Sequence, residues 1–141
     1  MATGIFQHIA STWKELGGTD QDRLDASRQV QLGVVLAKQN AQVLAKDLGR
    51  EPQPWEVYLA HQQGVGGAMA LIHADPDASA ASVLGGSTDK LTLNAIPADA
   101  TASQALISFA AMSISMPRCM WQMACPLLRI SPITMNRNYK V

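Results

Sequence analysis

Apolar residues recur at three- and four-residue steps through Val30, Val34, Ala37, Ala41, Leu44 and Leu48. That period predicts one long amphipathic helix over 25–48, with Gln31, Lys38, Gln39, Gln42 and Lys46 on its polar surface. Asp25 suits the N-cap, where a carboxylate accepts from the first free N–H groups, and Gly49 suits the left-handed turn that closes a helix. A second helix is predicted over 54–63. Pro54 fits its first position and Glu56 the positive end of its dipole. Trp55, Tyr58 and Leu59 supply its apolar face. Gly64-Val65-Gly66-Gly67 is expected to break it, and a short helix over 68–73 to follow, ending before Asp75-Pro76.

The remaining pattern is weaker. Ser11 or Thr12 is expected to cap a short helix over 13–16, stopped by Gly17-Gly18. A turn of helix is expected over 79–84, a mostly irregular stretch between Gly85-Gly86 and Pro97, and helix over 102–111. Strand signals are scarce. The chain reads as mainly α, with short helices around one long helix.

Composition divides the chain. Its 141 residues suit one domain, and 48% hydrophobic with 16% charged residues is a globular balance. Eleven basic residues offset eleven acidic ones, so there is no net pull toward nucleic acid or anionic membranes. All acidic residues lie at or before Asp99, whereas five of the seven Met, both Cys and three of the seven Pro lie from Met112 onward. We expect a domain over 1–111 and an irregular Met-, Cys- and Pro-rich basic tail over 112–141. Cys119 and Cys125 are too few for a disulfide framework, and His8, His61 and His73 lie far upstream of them, so no metal site is expected. No apolar run of 18 residues exists, which argues against a membrane span, and the start shows no signal peptide.

Three features could carry chemistry. In the first, Gly4-Ile5-Phe6-Gln7, the glycine lets backbone approach a ligand and Gln7 offers both a donor and an acceptor. A turn with a solvated Gln explains the same residues. The second, Tyr58-Leu59-Ala60-His61-Gln62-Gln63-Gly64, gathers polar groups beside an aromatic at a glycine-opened helix end, which suits sugar hydroxyls. An ordinary capped helix with surface Gln residues and a satisfied His explains the same residues. The third is the carboxylates. Glycoside cleavage needs an acid with a raised pKa, but Glu15, Glu51 and Glu56 each have a routine solvated role available. No nucleophile motif, P-loop or dinucleotide fingerprint is present.

In order and spacing, Gly4-Ile5-Phe6-Gln7, Ser11-Thr12-Trp13, the 25–48 helix and Ala60-His61-Gln62-Gln63-Gly64 resemble the soluble lytic transglycosylases, relatives of goose-type lysozyme. The likeness spans about residues 2–75. The first segment is similar to that family's Gly-Leu-Met-Gln-like motif and the last occupies its Ala-Tyr-Asn-Ala-Gly position, with His61 and Gln62 in place of Tyr and Asn. The resemblance implies a lysozyme-like lobe, no cofactor, and the MurNAc–GlcNAc glycan strand of peptidoglycan as ligand. It assigns contact roles to Gly4, Gln7, Tyr58, His61, Gln62 and Gly64.

In the family a protonated Glu upstream of the first motif donates to the glycosidic oxygen, and the C6 hydroxyl of the muramic acid attacks. Because this sequence starts at Met1, the helix bearing that Glu is expected to be missing, and no residue here is assigned as the acid. The expectation is weak turnover or none, with a non-catalytic glycan-binding or structural virion component as the alternative. Loss of that helix would bare part of the Val30–Leu48 stripe, to be covered by residues 112–141, a protein partner or a second copy. The resemblance implies the cell envelope or a phage virion as location.

Overall fold

The computed structural model describes residue 4 and residues 6–114. Six helices follow in order: α1 (Ala10–Glu15), α2 (Ala26–Leu48), α3 (Pro54–His73), α4 (Ala80–Val83), α5 (Asp89–Thr92) and α6 (Ala102–Ile114). Among the described residues there is no extended strand, only an isolated bridge between Ser79 and Thr101. The mainly α expectation therefore holds. No helix among these residues is long and apolar enough to cross a membrane.

α2 forms where the period placed it. The Asp25 carboxylate accepts from Arg28 N, and Gly49 closes the helix in the left-handed conformation. Its buried face is only partly the expected stripe. Ala37, Ala41, Leu44 and Leu48 face the core. Toward the N-terminus the buried positions become Gln29, Leu32 and Gly33, while Val30 and Val34 stay half-buried. The cause is the turn at the start of the chain, which packs there. A Cβ built on Gly33 would lie 3.1 Å from the Phe6 ring.

α3 differs from expectation. One residue, Gly64 (φ 73, ψ 156), leaves helical geometry, and the helix resumes at once through Gly66 and Gly67 to His73. Gly64 occupies a backbone region that is essentially glycine-only. Gly66 and Gly67 stay helical because packing overrides their low propensity. Gly67 also makes room for a neighbour: a Cβ there would sit 3.3 Å from a Leu84 methyl.

α3 is the central helix and packs against both α2 and α6. Leu59, Ala68, Leu71, Leu91, Ala105 and Phe109 are wholly or almost wholly buried in this core. α6 starts at a capping box that the sequence contains as Thr101-x-x-Gln104: Thr101 N donates to the Gln104 amide oxygen and Gln104 N to the Thr101 hydroxyl. α6 continues three residues beyond 111, and Met112 packs on the core. The rest of 112–141, including Cys119, Cys125 and any cover it would supply, lies outside the described residues.

Two other expectations are corrected. α1 starts after Ile9, without a side-chain cap, so Ser11 and Thr12 fall inside its first turn. Burial of Trp13, 1% exposed, sets that register. The stretch after Gly86 contains α5, anchored by fully buried Leu91.

The α2–α3 connection is held by charge. Glu56 is 1% exposed yet carries a carboxylate. It accepts from Arg50 Nη2 at 2.6 Å, from Arg50 Nη1 at 2.9 Å and from Gln53 N at 2.5 Å. Removing Arg50 leaves that carboxylate buried with one donor. Because Arg50 is half exposed, water can partly replace it. Arg50→Ala should therefore cost about 2 kcal/mol, less than the roughly 3–5 of a fully buried broken pair. A urea-unfolding midpoint unchanged from the parent would contradict this role.

Candidate functional site

The site forms where the first turn of the chain meets the middle of α3. The join is a hydrogen bond between His61 Nε2 and the Phe6 carbonyl, 2.9 Å long, across 55 positions of sequence. A carbonyl only accepts, so Nε2 carries the proton and Nδ1 is left as an acceptor in the neutral ring. Burial lowers the His61 pKa from its usual 6.5, and the bond to Phe6 opposes part of that shift.

The turn is internally tied. Gln7 adopts a positive φ of 53°, and its Nε2 donates to the Gly4 carbonyl at 2.6 Å. Gly4 is required by space as well as by its φ of 84°: a Cβ would fall 2.1 Å from Gln29 Oε1. Gln29 is buried on α2, where its Nε2 donates to the Arg23 carbonyl at 2.9 Å.

Of the six residues singled out in the sequence, Gly4, Gln7 and His61 are brought together at this join. Gln62 lies exposed on α3, and Gly64 is exposed at the break. Tyr58 belongs to the core, with burial raising its hydroxyl pKa, and that hydroxyl hydrogen-bonds the Gln62 side chain. The exposed polar groups are thus the Gln7 amide at the join and the Gln62 amide and Gly64 backbone on α3, with the His61 imidazole half-buried and neutral. These groups suit an uncharged polyhydroxyl or amide-bearing ligand better than a strongly ionic one.

Sequence spacing missed His8. It is 4% exposed, and its ring packs 5.5 Å from His61 edge-to-face, 5.8 Å from Phe6 stacked and 6.1 Å from Trp13. Its Nε2 is buried without a hydrogen-bond partner. Burial, and then the charge of His61, lower its pKa from 6.5. No periodicity marks such a residue; an imidazole flanked by Phe6 and Trp13 in sequence was the available hint. Trp13 completes the cluster, its Nε1 donating to the Thr19 carbonyl at 2.7 Å.

The three glutamates take no part in this cluster through any hydrogen bond or ion pair. Glu15 and Glu51 are exposed, and Glu56 is bound up with Arg50. Among the described residues no group of three His, Cys, Asp or Glu side chains could hold a metal ion. No protein-family model, curated protein or solved structure matches the chain.

Proposed function

We propose that this chain supplies the glycan-contacting lobe of a lytic-transglycosylase-like domain, binding the MurNAc–GlcNAc strand of peptidoglycan. The observation that carries this reading is the 2.9 Å bond from His61 to the Phe6 carbonyl. It joins the two separate segments whose order in the sequence carries the resemblance. Gly4, Gln7 and His61 meet at this join, and Gln62 and Gly64 are exposed on α3 beyond it, with the Tyr58 hydroxyl bonded to the Gln62 side chain.

In this role Gln7 and Gln62 exchange hydrogen bonds with sugar hydroxyl or acetamido groups. The exposed backbone at Gly64 lets the ligand approach the helix break. His61 acts from below, holding the turn against α3. Binding is favoured over cleavage by these residues, because Glu56 is already paired with Arg50 in a structural contact and Glu15 and Glu51 are exposed to solvent. The cell envelope or a virion is the corresponding location.

Sedimentation with purified peptidoglycan sacculi tests the proposal. The chain should pellet with the sacculi, and Gln7→Ala or Gln62→Ala should each weaken binding about three- to tenfold, the worth of one or two neutral hydrogen bonds. Sacculus turbidity should stay constant, as it should for Glu15→Gln. A chain that stays in the supernatant would overturn the proposal. Clearing that is lost in Glu15→Gln would replace binding by cleavage.

A further inference from the structure

We propose that His8 and His61 form a proton-operated latch, which holds the first turn of the chain against α3 while both rings are neutral and releases it when they are charged. The inference is independent of any glycan and rests on the geometry of the cluster.

Two imidazoles meet edge-to-face at 5.5 Å, one wholly buried and one half-buried. Among the described residues neither ring forms an ion pair with a carboxylate. The charged groups around them are engaged with other partners. From the loop before α2, Arg23 Nη2 donates to the His8 carbonyl at 3.2 Å. Asp22, near Trp13, is engaged with Arg28 of α2 and with Thr19. Lys14 of α1 pairs with Asp20. On α3, Tyr58 lies three positions before His61 and is buried in the core, where burial raises its hydroxyl pKa. The faces of Phe6 and Trp13 can offset part of the cost of a charged His8, but burial dominates and both imidazoles are held below 6.5.

Protonation leaves the His61 bond to Phe6 intact, since Nε2 already carries its hydrogen. What changes is the cost of two like charges in a dry cluster. The cheapest escape is local. The turn is held by the His61 and Arg23 bonds and by Phe6 against Gly33, whereas Phe6, His8 and Trp13 lie outside the core cluster that joins α2, α3 and α6. The sign follows from linkage. The open turn binds protons near the ordinary histidine pKa and the closed turn binds them only below it, so closure is complete above about 6.5. As pH falls from there to the closed-state pKa values, the closed-to-open ratio drops about tenfold per pH unit for each coupled imidazole.

The test is an NMR titration of the whole chain from about pH 7.5 to about pH 5. Imidazole resonances of His8 and His61 should titrate below 6.5, together with backbone signals of 6–8 and the Trp13 indole N–H, while α6 signals stay in place. His8→Phe, which keeps an aromatic of similar size, should shrink the transition to the part contributed by His61. His61→Gln, which keeps an N–H for the Phe6 carbonyl, should shrink the transition. Imidazoles that titrate at or above 6.5 would overturn the latch. So would turn signals that stay fixed while the rings titrate, or a transition that persists when both histidines are replaced. Should His8→Phe fail to fold, the parent titration decides alone.

Discussion

Phe109→Ala should lower the stability of the fold by about 3–5 kcal/mol, the usual range for emptying an aromatic site in a packed core. Phe109 is 0% exposed and lies on α6 among the residues that seat this helix on α3. Neighbouring Ile107, on the same helix, is 65% exposed. Ile107→Ala should therefore change stability by no more than about 0.5 kcal/mol. The pair separates burial from helix composition, because both substitutions give alanine on α6. Urea unfolding followed by far-UV circular dichroism reads the difference. Equal losses would mean that α6 is not docked through Phe109.

Gly18→Ala should cost about 3 kcal/mol, a large effect for one methyl group, combining overpacking with a lost hydrogen bond. A Cβ at Gly18 would fall 2.3–2.7 Å from the Trp13 indole ring. That indole is 1% exposed and anchored by its bond to the Thr19 carbonyl. It cannot rotate aside without losing that bond and its packing against His8. Gly66 is the contrast, because it is helical and a Cβ there meets nothing within 4 Å. Gly66→Ala should be neutral or stabilising by up to about 1 kcal/mol. Thermal unfolding of the two variants checks this. A harmless Gly18→Ala would show that Trp13 is not packed on the glycine.

The elements that the sequence made legible are those set by local physics. α2 is long and periodic and has a side-chain cap at Asp25 and a glycine at its end, so nothing distant was needed to find it. Its buried face was legible only at the C-terminal half. Toward the N-terminus the partner is the chain's own first turn, and a buried Gln29 is invisible to hydropathy. The sequence pattern splits α3, because four residues with three glycines read as a break, whereas only Gly64 leaves the helix. Propensity spoke for a loop and the packing of Ala68 and Leu71 spoke for a helix. α5 has one fully buried residue and too few positions to show a period.

For the candidate site, the segments were legible but their meeting was not. The residues around Gly4 and around His61 lie more than 50 positions apart, and hydrogen-bonding potential alone does not say which carbonyl a histidine will find. Tyr58 shows the opposite limit. A tyrosine beside polar residues suggested a stacking surface, yet its helix turns it into the core and leaves Gln62 to face outward.

The most direct test of the central claim is an NMR titration of the chain with a soluble GlcNAc–MurNAc oligosaccharide, following every backbone amide. The account predicts shifts that converge on residues 4–8 and 58–64 and spare α6. Shifts that are absent, or that gather elsewhere on the fold, would contradict it.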